Sequence, residues 1–294
     1  MSNMNFLYEN VTNKILKILE SGVSPWRKTW KSSELPTNLT TKIPYHGINV
    51  WTLLSSPSST TSLWATWNQI MALGGTVKKE EAKNYEIIVF WKPLKYKKIV
   101  GGIEEEDTFP MIRYSRVYNL SQVELPADVM KKLIPEKEVK QVNKLENCEA
   151  IITNYKDKPE TKYGGDRAYY ACLFDKIQMP LHEDFDNDEE YYSTWFHEMA
   201  HSTGAEKRLN RFKATDSHIF GSDRYSKEEL IAEMTASFLC AEAGIENSII
   251  ENSAAYIQSW MKAIKEGDKN FVISAASRAQ RAADYILQRI HKDN

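Results

Sequence analysis

The sequence predicts an α+β protein built from two domains. Its 294 residues are a length typical of about two domains. In the second half, short apolar segments typical of strands precede several helical segments, and this order indicates an α+β fold. The charge is also divided: residues 1–120 contain 15 Lys and Arg against 10 Asp and Glu, a net +5, so the remainder carries −7 and the chain −2. A basic first part and an acidic second part predict different partners for the two domains.

The composition excludes several classes of protein. With 42% hydrophobic and 27% charged residues, the chain resembles ordinary globular proteins. Its cysteines, Cys148, Cys172 and Cys240, are far apart and form no CxxC pair, so we expect neither a disulfide framework nor a thiolate metal site. No apolar run approaches the ~18 residues of a membrane span, and the N-terminus lacks the pattern of a signal peptide. The sequence therefore predicts a cytoplasmic protein with no membrane partner.

The first domain is predicted over residues 1–125. A helix is expected over about residues 5–20, where Ile15 and Leu19 belong to an apolar stripe that Gly22 terminates. Apolar patterning predicts the other elements of this domain: a helix in SLWATWNQIMALGG, strands in YEIIVFW and FPMIRYSRVYNL, and a solvated turn in the GGIEEED between the strands.

A charged segment with two prolines, residues 126–148, is predicted to link the first domain to a second over residues 149–294. In the second domain, AIITNY and RAYYACLFDKIQMP are expected to form strands. Helices are expected after them, over about residues 187–203, 226–243, 252–265 and 270–291.

The strongest motif in the second domain is His197-Glu198-Met199-Ala200-His201, in a segment predicted to be helical. Residues four apart lie on one face of a helix, so His197 and His201 can present two imidazoles to one ion. Glu198 can reach a water at that ion and act as general base, as the HExxH motif implies. Two surface histidines are the alternative, but a solvent-facing helix does not usually contain the aromatic YYSTWF that precedes the motif. Two imidazoles and a carboxylate suit zinc, so we expect one divalent metal, zinc in the first instance.

A third ligand must come from elsewhere in the sequence. One class of HExxH proteins uses a third histidine where this chain has Lys207, and a cation excludes that class. The later segment SKEELIAEMTASFLCAE contains Glu229 and Glu233 at a spacing that resembles the Glu-x-x-x-Asp arrangement of gluzincin peptidases. Glu229 is therefore predicted to be the ligand, and Glu233 to support a ligand histidine. Because Ser226 and Glu229 also fit a helix capping box, Glu233 as the ligand stays open at this point.

The first domain combines aromatic and basic residues. Six of the eight tryptophans lie in residues 1–120, and "SPWRKTWK" and "FWKPLKYKKIV" place lysines and arginines beside them. Aromatic faces stack on unpaired bases and cations follow the phosphate backbone, which predicts single-stranded DNA binding. We expect about half of these tryptophans to be buried instead, and the lysine run could be an ordinary solvated loop. The predicted DNA-binding residues are Trp26, Arg27, Trp30, Trp91, Lys92, Lys95, Tyr96, Lys97 and Lys98.

The sequence resembles the ArdC-type antirestriction proteins of plasmids and related mobile elements over nearly its whole length. In the first part the resemblance rests on SPWRKTW, YHGINVWTL, WATWNQIMALGG and VFWK. In the second part it rests on RAYYACLFDKIQMP, YYSTWFHEMAHSTG, RLNR, EELIAEMTASFLCAEAGI and SRAQRAADYI. The resemblance implies an N-terminal domain that binds single-stranded DNA, a C-terminal zincin-like metallopeptidase domain and protection of incoming plasmid DNA from host restriction. It also implies His197, His201 and Glu229 as metal ligands and Glu198 as base.

Three functions follow from these expectations. The first is a two-part antirestriction factor that binds single-stranded DNA and acts on a host protein substrate or restriction component. The second is a zinc metallopeptidase with no nucleic-acid role. This hypothesis assigns no function to the Trp- and Lys-rich first part of the chain. The third is a DNA-binding protein with a structural metal site, although structural zinc sites normally have four protein ligands and only three are found.

Overall fold

The structure, a computed structural model, describes a large part of the chain. The described residues are 2–22, 24–27, 35–100, 103–133, 143–212, 223–245, 253–266 and 270–289. Within them, only the backbone is described for residues 2–7, 27, 91–100, 103–110, 223–225, 253–256 and 259.

The elements of the first half, in chain order, are α1 (Ser2–Glu20), β1 (Thr37–Asn38), α2 (Ile48–Leu54), β2 (Leu63–Thr66), α3 (Trp67–Ala72), β3 (Thr76–Val77), β4 (Glu86–Val100), β5 (Ile103–Asn119), β6 (Val123–Glu124) and α4 (Ala127–Leu133). The main sheet is mixed and has the strand order β1-β2-β5-β4. A short second sheet pairs β3 with β6.

Two of the predicted elements in this half are corrected. The single helix expected in SLWATWNQIMALGG is a strand followed by a helix, because the hydroxyl of Thr66 accepts a hydrogen bond from the Gln69 amide and starts α3 there. The expected solvated turn in GGIEEED is wrong for its acidic part. Strands β4 and β5 form one long antiparallel hairpin that pairs Val100 with Ile103, so the glutamates lie in a strand.

The elements of the second half are α5 (Lys144–Asn154), β7 (Glu160–Tyr163), β8 (Tyr169–Ala171), β9 (Lys176–Met179), α6 (Asp188–Ser202), α7 (Asp223–Ala243), α8 (Ser253–Glu266) and α9 (Phe271–Ile286). After α5 they follow the predicted order of a small sheet and then long helices. The sheet has the order β7-β9-β8, and its edge strand β8 contacts the helix that contains the HExxH motif. None of the described helices is both long and apolar enough to cross a membrane.

The segment AIITNY lies in helix α5, so the strand predicted there is wrong. Asn143 caps this helix by accepting a hydrogen bond from the Glu146 amide. Cys148, Ile151 and Ile152 are buried at helical spacing, so the apolar run is one face of a helix rather than a buried strand. Helix α5 packs against α7, and part of the predicted linker therefore belongs to the second half of the fold.

One hydrophobic core extends across both halves of the chain. The ring of Trp26 lies 5.4 Å from that of Trp260 in α8, and the ring of Trp51 lies 4.6 Å from that of Phe238 in α7. Helix α1 also packs against α8 and α9. Separating the halves would expose these rings, so experiments on the protein require the full chain, and the domain limits 1–125 and 149–294 stay predictions.

Candidate metal centre

The two histidines are placed by helix α6. Asn187 caps this helix by accepting a hydrogen bond from the Glu190 amide, and three acidic residues in the first turn complement the helix dipole. Phe196 and Met199 are fully buried and fix one face of α6 in the core. That packing brings the HExxH turn against α7, which supplies the glutamates.

His197, His201 and Glu229 converge on one point. The two Nε2 atoms lie 3.0 Å apart, and each lies 3.4 Å from an oxygen of the Glu229 carboxylate. A tetrahedral ion with bonds of about 2.1 Å separates its ligand atoms by roughly 3.4 Å, so the spacing fits one small divalent cation. Within the described residues, this is the only group of three or more His, Cys, Asp or Glu with such spacing.

The capping-box alternative for Glu229 loses its basis. Helix α7 begins at Asp223, so Ser226 lies inside the helix rather than at its N-cap. Glu233 Oε2 approaches Nδ1 of His197 at 3.5 Å, on the side of the ring away from the convergent nitrogens. The distance is at the outer limit of a hydrogen bond, so the contact is mainly electrostatic. These positions match the predicted roles of Glu229 as ligand and Glu233 as support, which stay predictions.

A second supporting carboxylate was missed by the sequence analysis. Glu228 Oε1 lies 3.7 Å from Nδ1 of His201, so it approaches His201 as Glu233 approaches His197. Arg211 donates hydrogen bonds to both oxygens of Glu228, at 3.1 and 2.6 Å. The adjacent glutamates in SKEEL were the available signal for Glu228. No spacing rule connects Arg211 to α7.

Arg211 also ties the support to the end of α6. Its guanidinium donates to the Ala200 carbonyl at 2.9 Å and to the Thr203 hydroxyl at 2.7 Å. Gly204 permits this close return of the chain, because a Cβ at that position would collide with the ring of Phe212. The loop after α6 is thereby fixed against both helices of the site.

The charges of the cluster are coupled. Burial alone would lower the pKa of His197, but the carboxylates of Glu229 and Glu233 more than offset it and raise that pKa well above its usual value. Burial also lowers the pKa of His201, yet Glu229 and Glu228 raise it to about 9. The pKa of Glu229 falls well below its usual range because the two histidines outweigh its burial. Cation binding must therefore displace protons from this site.

Glu198, the residue predicted to act as base, lies in the same turn of α6 as His197. Its side chain is buried, and burial raises the pKa of its carboxyl while His197 and His201 lower it. The backbone of Tyr170 in β8 also acts to lower this pKa. A buried carboxylate beside the ligand cluster is compatible with the role of general base, which stays a prediction.

The hairpin that supplies Tyr170 is itself anchored. The Tyr170 hydroxyl donates to Asp175 at 2.7 Å, and Arg208 binds both oxygens of Asp175 at 2.8 and 2.9 Å. Arg208 also donates to the Ser202 carbonyl at the end of α6. The buried guanidinium of Arg208 thus connects the β8–β9 hairpin to the end of the HExxH helix.

The predicted DNA-binding residues are only partly described. Trp26 is a correction: it is fully buried in the shared core, so its ring has no face free to stack on a base. Trp30 lies outside the described residues, and only the backbone is described at Arg27, Trp91, Lys92, Lys95, Tyr96, Lys97 and Lys98. Their roles in DNA binding stay predictions.

The lysine run lies opposite an acidic run in the β4–β5 hairpin. The register places Lys97 opposite Glu106 and Lys98 opposite Glu105. Opposite charges at paired positions of an antiparallel ladder are in general a stabilising combination.

Two sequence profiles match the halves of the chain. The N-terminal domain of anti-restriction factor ArdC matches residues 5–118, and a zincin-like metallopeptidase domain matches residues 146–278. The crystal structure of the metal-free antirestriction ArdC protein from plasmid R388 is similar over 96% of this chain and 97% of its own, with 31% identity and a TM-score of 0.74. The chain belongs to the ArdC antirestriction family. The two-part α+β architecture and the zincin-like domain are thereby confirmed.

Three further proteins similar to this ArdC-family chain are a metal-bound structure, an uncharacterized protein and a longer primase. The Mn(II)-bound structure of the R388 protein has 30% identity, covers 98% of this chain and 99% of its own, and gives a TM-score of 0.75. The uncharacterized protein y4eC of Sinorhizobium fredii (strain NBRC 101917 / NGR234) is 29% identical over 95% of this chain and 91% of its own length. A DNA primase TraC of Escherichia coli is 32% identical over 95% of this chain, which spans 20% of that protein.

Proposed function

We propose that this ArdC-family chain binds single-stranded DNA through its first half and holds one divalent metal between α6 and α7, and so protects incoming DNA from restriction in the cytoplasm. The observation that carries the metal part is the convergence of His197, His201 and Glu229 at ligand spacing. The DNA part is supported by the ArdC N-terminal domain and by the net charge of +5 on residues 1–120.

Zinc is the proposed ion, because two imidazoles and one carboxylate are a donor set that zinc accepts. A bound cation would act as a Lewis acid on a scissile carbonyl. Glu198 would accept a proton beside it, and Glu228 and Glu233 would hold the two imidazoles in the orientation that turns Nε2 inward. These roles describe a peptidase whose substrate is a host protein or a restriction component.

A purely structural metal site is less well supported. Such a site is normally closed by four protein ligands, whereas the described residues offer three ligand atoms in this cluster. The buried Glu198 beside the ligands also favours a catalytic site, because carboxyl groups with perturbed pKa values cluster at functional sites.

The metal proposal is tested with the full-length protein and three variants. Metal content per chain is measured after dialysis against zinc and then manganese. His201→Ala should lose most of its metal, since three ligands become two. Glu198→Gln should keep the metal, since the ligands remain. Lys207→Ala is the matched control, because this exposed lysine lies outside the cluster. Unchanged occupancy in His201→Ala would show that the site is wrongly placed.

The peptidase proposal needs a separate readout. Candidate host restriction subunits are incubated with the metal-loaded protein, and cleavage is followed by mass spectrometry. Any cleavage should be abolished in Glu198→Gln at unchanged metal content, because the base is lost while the ligands remain. Full cleavage by that variant would exclude Glu198 as the base.

A further inference from the structure

A row of aromatic rings lies on the first half, away from the residues that the sequence pattern selected. The rings of Trp67 and Tyr118 are 6.3 Å apart, and those of Tyr118 and Tyr85 are also 6.3 Å apart. Both pairs pack edge to face. At most 12.6 Å therefore separates Trp67 from Tyr85, which one short segment of polymer can span.

The three rings differ in exposure: Tyr118 is buried, and Trp67 and Tyr85 are partly exposed. Tyr118 is 5% exposed and its hydroxyl donates to the Ala82 carbonyl at 3.1 Å, so it is a fixed part of the core. Trp67 is 46% exposed and Tyr85 is half-buried. Tyr118 thus packs against two partly open rings. Of the tryptophan side chains described in the first half, Trp26, Trp51 and Trp64 are buried, and Trp67 is the exposed one.

Local sequence explains why Trp67 is presented at the surface. Thr66 and Gln69 form a capping box that starts α3 immediately before Trp67. Ile70 is the buried residue of α3, and Met71, one turn after Trp67, is 49% exposed.

Strand β5 adds one cation and a further ring. Tyr114, Arg116 and Tyr118 are two residues apart in this strand and therefore share one of its faces. Tyr114 is 45% exposed, and the guanidinium of the exposed Arg116 lies 4.4 Å from the centroid of the Tyr85 ring. In the described part of the chain, Arg116 makes no ion pair with a carboxylate. Arg116 therefore covers one face of the Tyr85 ring and has no neutralising carboxylate among the described residues.

We propose that Trp67, Tyr85, Tyr114 and Arg116, here called the Trp67 surface, form the site where single-stranded DNA stacks on this chain. The inference rests on the proposed function and gives that function a location. Every base has a face that stacks on an aromatic ring, and a guanidinium beside the rings pairs with the backbone phosphates. In a duplex the same faces are hidden by neighbouring base pairs, so this surface favours single strands.

The basic half of the chain favours DNA over a protein as the occupant. A protein partner would also accept exposed Trp, Tyr and Arg. It would gain nothing from the net +5 of residues 1–120 unless it were acidic, whereas a phosphate backbone gains from every cation near its path. A protein partner is therefore the alternative outcome of the experiment.

The test is a fluorescence anisotropy titration of a labelled mixed-sequence oligonucleotide with the full-length protein. Trp67→Ala and Tyr114→Ala should each weaken single-strand binding about 5- to 150-fold, the fold-change that corresponds to one lost base–aromatic stack. Phe90→Ala is the matched control: this ring is 43% exposed on the same hairpin, but its register with Arg113 places it on the opposite face. Phe90→Ala should bind like the parent protein.

Charge is tested by a second matched pair on one strand. Arg116→Gln should lower the slope of log affinity against log salt concentration by about 0.7, the value for one phosphate contact on a single strand. Arg113→Gln, an exposed arginine on the other face of β5, should leave the slope unchanged. Thermal unfolding of each variant confirms that the fold persists.

The outcomes separate this inference from the proposed function. If the parent protein does not bind single strands at any salt concentration, both are overturned. If the parent binds but Trp67→Ala and Tyr114→Ala keep its affinity, the Trp67 surface is wrong while DNA binding stands, and a protein becomes its proposed occupant. Equal losses in Phe90→Ala and Trp67→Ala, or equal losses on duplex and single strand, also overturn the stacking site.

Discussion

The metal cluster and the Trp67 surface differ in how far their side chains are exposed to water. At the cluster, the ligands and their supports are largely buried, and histidines, glutamates and Arg211 compensate one another's charges. At the Trp67 surface, the side chains are half-buried or exposed, and a single buried tyrosine holds two of the rings. Burial makes an interaction strong because water does not screen it, and it also makes each member costly to remove. Changes at the cluster should therefore affect folding, and changes at the surface should affect binding alone.

The largest contrast is expected between two tryptophans. Trp26→Ala should lower the free energy of unfolding by about 3–5 kcal/mol, because it leaves a large cavity in the shared core. Trp67→Ala should change it by no more than about 0.5 kcal/mol, as surface substitutions usually do. Urea unfolding of both variants checks the pair. Similar losses in the two would break the contrast between buried and exposed rings.

The next effect concerns the buried ion pair beside the ligands. Arg211→Ala should lower the free energy of unfolding by about 3 kcal/mol, because Glu228 is left buried without its partner. The double variant Arg211→Met with Glu228→Gln should recover part of that loss, since it removes the uncompensated charge. The measurement is urea unfolding of metal-free protein. A loss below about 1 kcal/mol in the single variant would mean that water reaches the pair.

A smaller effect is expected from pH at the hairpin anchor. Arg208 overcomes the effect of burial and lowers the pKa of Asp175 from 3.8 to about 2. A carboxyl whose pKa is lower in the folded state stabilises the fold above its unfolded pKa, and that contribution is lost as the pH falls from about 4 to about 2. With solvent screening it amounts to about 1 kcal/mol. The difference in unfolding free energy between the parent and Asp175→Asn should shrink over that interval, and a difference that stays constant would contradict the assignment.

The smallest effect should be that of metal removal on DNA binding. The cluster lies on α6 and α7 and the Trp67 surface on α3, β5 and the residue before β4, so the two share no side chain. Dialysis against a chelator should leave the dissociation constant for single-stranded DNA within about twofold of its value with metal, well below the tenfold change that 1.4 kcal/mol produces. A tenfold change would show that the two sites are coupled through the shared core.

The sequence predicted the residues that interact within one helix, and it missed those that interact across a loop. His197 and His201 are four residues apart on one helix, and Glu229 and Glu233 repeat that spacing, so helical geometry was enough to propose them. Arg211 binds Glu228 across 17 residues of sequence, and that pairing depends on how the loop returns past Gly204. No local periodicity carries that information.

The aromatic residues were harder because composition does not report exposure. Trp26 lies among basic residues in the sequence, yet its ring is packed against Trp51 and Trp260. Trp67 has no lysine or arginine within five positions in the sequence, yet its ring is 46% exposed. Its neighbours on the surface come from β5 and from the turn before β4, so only tertiary structure brings them together.

The most direct test of the account is one titration of single-stranded DNA with three full-length proteins: the parent, Trp67→Ala and His201→Ala. The account predicts that Trp67→Ala binds about 5- to 150-fold more weakly than the parent, because one stacking ring is lost. It predicts that His201→Ala binds like the parent, although it has lost most of its metal. Full affinity in Trp67→Ala together with weak binding in His201→Ala would contradict the account, because DNA would then depend on the metal cluster and not on the surface.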